Sequence, residues 1–497
     1  MQTGVTEQPI YRAAQVRELD RRAIQDQGIP GYTLMTRAAT AALRKLRARW
    51  PRSQRIRVVC GAGNNAGDGY VLARLAKIAG LDVRVGYLCD PANLQGDART
   101  AHSEALAAGV PMAAFEARFC ADADVLVDAL LGTGLERFVV DEWAAAIVAM
   151  NAAAAPILAL DIPSGLHADT GAVLGCAVQA ELTVTFIALK LGLFTGQGPE
   201  QIGQLSLAGL ELPKALFADL EPAATLLDSA WLRDTLPAAR ARTAHKGDFG
   251  HVLIIGGQPG MSGAPRLAAL AAARCGAGLI SIATHPEHAA CFNMFCPELM
   301  CHGVADAAAL EPLIARATVI VIGPGLGQGA WAQELLGKLW ASALPLIVDA
   351  DALNLLAQSP QRRDTWILTP HPGEAARLLG VTTQEIQADR LAAATELQAC
   401  YGGVLVLKGA GTLIANNMRV QLCAAGNPGM ASGGMGDVLS GVIAGLVAQG
   451  LSLSQAAAAG VMLHALAGDA AAAAGGARGM LASDLLPELR RLMNPPA

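Results

Sequence analysis

Short runs of Val, Ile and Leu recur along the whole chain, each followed by a polar, glycine-bearing turn and then an Ala-rich stretch of helical length. Continuous apolar runs of this kind, separated by helices, are the mark of parallel strands covered on both faces. In the first half they fall at Ile56–Cys60, Val83–Leu88, Val125–Ala129, Ile157–Asp161 and Leu182–Ile187. In the second half they fall at His251–Ile255, Leu279–Ala283, Val319–Ile322, Leu346–Val348, Trp366–Leu368 and Val404–Leu407. Each half therefore reads as a doubly wound, three-layer α/β domain. A chain of 497 residues exceeds what one core organises. From Glu211 to Arg242 the texture changes: Pro213, Pro222 and Pro237 appear and no clear strand is seen. The boundary is placed there, giving domains 1–225 and 226–497, with no repeat between them.

Composition narrows the function classes. A net charge of -5 argues against nucleic-acid binding, which needs a basic surface to neutralise phosphates. The ten cysteines are scattered without a CxxC pair, which suits a reducing compartment. His285, His288, Cys291, Cys296, Cys301 and His302 cluster in sequence, but the spacing matches no common zinc pattern. The stretch Val438–Gly468 lacks Asp, Glu, Lys and Arg; its Ala and Gly content and interrupting Gln449, Ser452, Ser454 and Gln455 favour two buried helices over a membrane span. Met1–Gln15 has no charged-then-apolar signal pattern. A cytoplasmic protein without membrane attachment is expected, and a homo-oligomer.

Open α/β sheets bind ligands beyond the carboxyl ends of their strands, and Gly, Asp and Asn concentrate there in this sequence. Gly61-Ala62-Gly63-Asn64-Asn65-Ala66-Gly67-Asp68-Gly69 follows the strand ending at Cys60. It satisfies Gly-x-Gly-x-x-Ala, yet the acid wanted at the end of the next strand is missing, since Asp82 stands at that strand's start. A hydride-transferring dinucleotide domain is thus disfavoured. Asp128 leads into Gly132-Thr133-Gly134-Leu135-Glu136-Arg137-Phe138, and Asp161 into Ile162-Pro163-Ser164-Gly165. Either acid alone serves as a helix cap; three polar loops on one sheet favour a pocket.

On these three motifs, over about residues 10 to 215, the sequence closely resembles the NAD(P)H-hydrate epimerase family, with Ala66 where members often carry Gly. The resemblance implies a Rossmann-like parallel sheet and a potassium ion (K⁺) held by Asn65, Asp128 and Ser164. It also implies that Asn64, Asn65, Ala66, Gly67 and Asp68, the stretch Gly132 to Phe138, and Asp161 line a hydrate pocket. Asp161 is then the general acid/base. Trp143 stands where some relatives have an aromatic hydroxyl.

The second half carries more signals. Gly256–Ala264, Gly323–Gly327, Asp349–Asn354, Thr369-Pro370-His371-Pro372-Gly373-Glu374 and Lys408-Gly409-Ala410-Gly411-Thr412 each follow a strand. Asn427–Asp437 ends in Gly433-Gly434-Met435-Gly436-Asp437 and runs into a helix. Glycines at a helix start leave backbone NH groups free for anionic phosphate, and Asp437 lies within reach of a group attacking it. The bland reading is a helix capped by Asp. No Gly-x-x-x-x-Gly-Lys-Ser/Thr occurs, so this is not a P-loop.

Over about residues 230 to 492 this set, with Gly-Gly-x-Gly-Asp at its centre, resembles the ribokinase-like ADP-dependent NAD(P)H-hydrate dehydratases. The resemblance implies ADP, with Mg²⁺, bound by Lys408, Gly409, Ala410, Gly411, Thr412 and Gly436. It implies that Ala264, Gly325, His371 and Asp437 contact NADH hydrate or NADPH hydrate, with Asp437 as catalytic base. His371, between two prolines, also reads as a structural turn residue. The rival reading is a ribokinase-like small-molecule kinase with an accessory binding domain.

Overall fold

The computed structural model describes residues 8–292 and 296–494. The described residues divide into two compact units, one over residues 9–224 and the other from Thr225 onward.

The first unit is built on a seven-stranded sheet. Its order is Met112–Ala114, Asp82–Tyr87, Arg55–Cys60, Val125–Ala129, Ile157–Leu160, Leu182–Phe186, Gln204–Ala208. Every pairing is parallel. The central strands are buried along their length, which is why they read as unbroken apolar runs. Strand order reverses between Arg55–Cys60 and Val125–Ala129, so the turns leaving these neighbours diverge and open a crevice, the place where such sheets bind ligands. The loops beginning at Gly61 and Leu130 are those turns. A separate short parallel pair joins Ile10 to Leu189 and Tyr11 to Lys190.

Gly165 closes the turn after Ile157–Leu160 with φ +95°, and a Cβ there lies 1.9 Å from the Cys176 carbonyl oxygen. Gly165→Ala combines left-handed strain with a backbone clash, so we expect it to destabilise this unit by about 3 kcal/mol or more in urea unfolding.

In the second unit the order is Met300–Gly303, Leu279–Thr284, His251–Ile255, Val319–Ile322, Leu346–Val348, Trp366–Leu368, Val404–Leu407, Thr412–Ala415, Val420–Cys423, Ala224–Leu226. The reversal here lies between His251–Ile255 and Val319–Ile322. Two features depart from the sequence reading. Thr412–Ala415 runs antiparallel to both its neighbours, because the Lys408–Gly411 turn is too short for a crossover helix. The proline-rich stretch holds a strand after all: Ala224–Leu226 pairs with Gln421 and Leu422, and three residues are too few to show a period.

The charge-free stretch forms two helices, Met435–Ala448 and Leu453–Gly475. The longer is long and apolar enough to cross a membrane, and 67% of its apolar window is buried inside the protein. Small residues let Met435–Ala448 approach helix Gly263–Arg274 closely: a Cβ on Gly441 lies 2.0 Å from the Ala268 carbonyl oxygen. Of the cysteine–histidine group, His285 packs edge-on against Trp331 with ring centroids 5.7 Å apart, and His288 meets the Gln258 carbonyl at 3.1 Å. The Cys291 side chain lies outside the described residues.

Candidate functional site

In the first unit a cavity of about 620 Å³ opens at the switch point. Asn64, Asn65, Asp68, Gly132, Thr133, Gly134, Leu135, Glu136, Arg137 and Asp161 line it. Ala66 and Gly67 are buried behind it, Ala66 within the apolar core and Gly67 against Met35. Phe138 is 68% exposed and, with Trp143, borders a neighbouring cavity of about 200 Å³.

Asp161 follows its strand with φ +65°, a conformation uncommon outside glycine. Its carboxylate accepts from the Phe186 NH at 3.0 Å and the Thr185 hydroxyl at 3.3 Å, and pairs with the Lys190 ammonium. Lys190 is fully buried and also donates to Thr185 Oγ1 (2.9 Å) and the Phe186 carbonyl (2.8 Å). Burial pulls its ammonium down, and Asp161 opposes that. Lys190 belonged to no motif; the one sequence signal was a lone cation inside the otherwise apolar run Phe186–Leu193. Asp20 and Asp97 also line the cavity. Burial, then Asp161, raises the carboxyls of Asp68 and Asp20 above their ordinary range.

Asp128 is fully buried, and burial holds its carboxyl up at about 6 against the hydrogen bonds it accepts. Those come from Ser164 Oγ at 2.6 Å, the Ser164 NH at 2.8 Å and the Leu130 NH at 3.1 Å. Asn65 donates to the Leu131 carbonyl at 3.0 Å, while its own buried Oδ1 accepts nothing among the described residues. A buried, unpartnered amide oxygen at a carboxylate-bearing switch point fits a hard monovalent cation.

In the second unit the buried Asp349 joins the predicted loops. It accepts from Lys408 Nζ at 2.9 Å and from Ser440 Oγ at 2.8 Å, and Lys408 also lies 3.8 Å from Glu374. Burial works against ionisation of both partners, and their pairing outweighs it: Lys408 is held above and Asp349 below the ordinary range. The Lys408 ammonium therefore points at Gly436, where a Cβ lies 3.2 Å from Nζ. Gly409, Ala410 and Gly411 form the turn beyond it, Thr412 Oγ1 bonds the Gly409 carbonyl at 2.8 Å, and the buried Arg390 braces the turn through the carbonyls of Leu407 and Lys408, each at 3.2 Å.

Helix Met435–Ala448 starts at Gly434 with no side-chain cap, which leaves its first NH groups open to an anion. Asp437 in that first turn does not cap it. Its carboxyl is raised to about 7, first by burial and then by Asp349, with Lys408 opposing. His371 does cap: Nδ1 accepts from the Gly373 and Glu374 NH groups at 3.0 and 3.2 Å. The remaining proton thus sits on Nε2, on a ring whose side chain is 51% exposed. Ala264, on the first turn of Gly263–Arg274, neighbours Gly325, where a Cβ lies 3.3 Å from that of Ala264. Asp349, Glu374 and Ser440 were not among the predicted ligands; Asp349 and Glu374 stood inside quoted motifs, while Ser440 gave no signal.

Residues 252–491 match the NAD(P)H-hydrate dehydratase family, and residues 31–192 match the family described as YjeF-related protein N-terminus. A ribokinase-like superfamily protein from Enterococcus faecalis superposes with TM-score 0.51 and 32% identity, covering 55% of this chain and 95% of its own. The bifunctional NAD(P)H-hydrate repair enzyme Nnr of Coxiella burnetii is 52% identical over 98% of this chain and 99% of that one. Its Escherichia coli namesake is 44% identical over 98% and 94%. Relatives of this identity, matched end to end, place the chain in the family of bifunctional NAD(P)H-hydrate repair enzymes.

Proposed function

We propose that the first unit interconverts the R and S hydrates of NADH and NADPH, and that the second dehydrates the S form at the expense of ADP. The observation that carries this is the Asp437 carboxyl on the first turn of an uncapped, glycine-rich helix start, whose Gly436 lies against the Lys408 ammonium.

Hydroxide is a poor leaving group. In the second site Asp437 takes the proton of the hydrate hydroxyl as its oxygen attacks the β-phosphorus of ADP, and AMP leaves. The NH groups of Gly433 to Gly436 and the Lys408 ammonium stabilise charge on the transferring phosphoryl group. Loss of phosphate from one ring carbon and of a proton from the next restores the dihydronicotinamide. Gly409, Ala410, Gly411 and Thr412 hold the adenine nucleotide, while Ala264, Gly325 and the half-exposed ring of His371 face the hydrate. ADP arrives with Mg²⁺, for which the carboxyls lining this site are suitable oxygen donors.

In the first site Asp161 moves protons at the hydroxyl-bearing carbon. Asn65, Asp128 and Ser164 would hold K⁺, whose charge would favour the anionic substrate in a cavity rich in carboxyls.

Mixed hydrates given enzyme and ADP should regain the full near-ultraviolet absorbance of the dihydronicotinamide ring, with AMP and phosphate in equal amounts. Turnover without nucleotide removes the coupling; a stable phosphorylated product from ATP establishes a kinase instead. Because the base acts ionised and is held up at about 7, the dehydration rate should climb with pH through about 7 and level off above it, about tenfold per unit on the acid limb. A rate independent of pH across this window overturns the assignment of Asp437 as base.

A further inference from the structure

Lysine carries a point charge on a flexible four-carbon stem, so an ammonium that must meet a phosphoryl group at a set distance needs an anchor. Lys408 finds one across the sheet. It follows strand Val404–Leu407, Asp349 follows Leu346–Val348, and Trp366–Leu368 lies between the two strands. The ammonium ends 2.9 Å from Asp349 Oδ1 and 3.8 Å from the buried Glu374. Asp349 stands at the N-cap position of helix Ala350–Gln358, where an Asp ordinarily accepts from the first NH groups of its helix. Its side chain makes no such bond. One oxygen takes Lys408 instead, and the other takes the Ser440 hydroxyl at 2.8 Å. The next residue, Ala350, steps through φ +48°, a conformation uncommon outside glycine. A forgone cap and a strained step beside a buried carboxylate are features that accompany functional sites rather than plain helix starts.

Ser440 closes the arrangement. It is fully buried and stands four residues after Gly436 on helix Met435–Ala448, so the two share one face of that helix, a turn apart. A Cβ on Gly436 would lie 3.2 Å from Lys408 Nζ and 3.5 Å from Asp349 Oδ2. The helix that leaves its first NH groups open to an anion therefore also grips, one turn further in, the carboxylate that holds the cation. We propose that Ser440 and Asp349 are positioning residues for phosphoryl transfer: Ser440 orients the Asp349 carboxylate, which keeps the Lys408 ammonium in register with the NH groups of the helix start. One rigid element then sets both halves of the phosphoryl site, and neither depends on the free stem of the lysine.

The assignment rests on the dehydratase reading of this site, and the full-length wild type given ADP and S hydrate tests that reading first: no recovery of NADH removes it, whatever the variants do. With wild type active, Ser440→Ala should lower kcat by on the order of 10- to 100-fold, the cost of a slightly misplaced group, while KM for the hydrate stays near wild type. Lys408→Met should lower kcat by on the order of 10²–10³-fold. Adding Ser440→Ala to Lys408→Met should then cost nothing further, because no ammonium is left to place. Rates are read in single turnovers with enzyme in excess, so that slow variants remain measurable. A buried hydrogen bond that serves the fold alone predicts the same fold-loss in both backgrounds, and that result overturns the proposal. So does a wild-type kcat in Ser440→Ala, or a loss confined to KM. Should Ser440→Ala not fold, Ser440→Cys, close in shape and a weak donor, is read by the same criteria; Lys408→Gln stands in likewise for Lys408→Met.

Discussion

Asp437→Asn is expected to abolish ADP-dependent recovery of NADH, lowering the rate by on the order of 10²–10⁴-fold, the range attributed to a positioned general base. The substitution preserves shape and removes the one property the mechanism uses. Asp437 does not cap its helix, so no capping hydrogen bond is lost with it. Its carboxyl is raised first by burial and then by Asp349, and Asn carries neither the buried charge nor the repulsion. Binding of ADP should therefore hold or tighten while kcat collapses. This split between KM and kcat distinguishes loss of a base from loss of a nucleotide ligand. Equal losses in both would reassign Asp437 to binding.

Asp161→Asn is expected to stop recovery of mixed hydrates at the S fraction, apart from slow spontaneous epimerisation, while leaving dehydration of pure S hydrate unchanged. It should also weaken the first unit. Lys190 is fully buried, and removing its carboxylate leaves a buried ammonium with only neutral partners. Breaking one side of a buried pair costs about 3–5 kcal/mol. Loss of the Lys190 proton would reduce that cost. Combining Asp161→Asn with Lys190→Met removes both charges and should recover much of the stability without any epimerisation. A double variant no more stable than Asp161→Asn alone would show that the pair does not carry this energy.

The motif-bearing turns were legible because each is a local event. A buried strand must end somewhere, and the residues that let the chain leave it are short, polar or glycine. Val125–Ala129, His251–Ile255, Val319–Ile322, Leu346–Val348, Trp366–Leu368 and Val404–Leu407 have the bounds expected from their apolar runs. Among the strands that escaped notice, Met112–Ala114, Leu189–Lys190 and Ala224–Leu226 are too brief for a period, and Gln204–Ala208 is only partly buried. His371 read equally as a ligand and as a turn residue. It caps its helix through Nδ1, while its ring stays half-exposed with Nε2 3.4 Å from the Glu374 carboxylate, so the two readings do not compete.

The sequence by itself determined two α/β domains, the places where many of their strands end, the carboxyl of Asp161 at one such end and that of Asp437 at a glycine-rich helix start. Strand order, and with it the pairing of charges, was decided only by the tertiary structure. Lys190 lies 29 residues from Asp161 and meets it through contacts with strand Leu182–Phe186. Asp349 lies 59 residues from Lys408 and 91 from Ser440, yet both donate to its carboxylate. A turn is specified by the conformations its own few residues allow. The ionisation of a buried acid is specified by which cation the sheet brings beside it, and no local pattern encodes that neighbour.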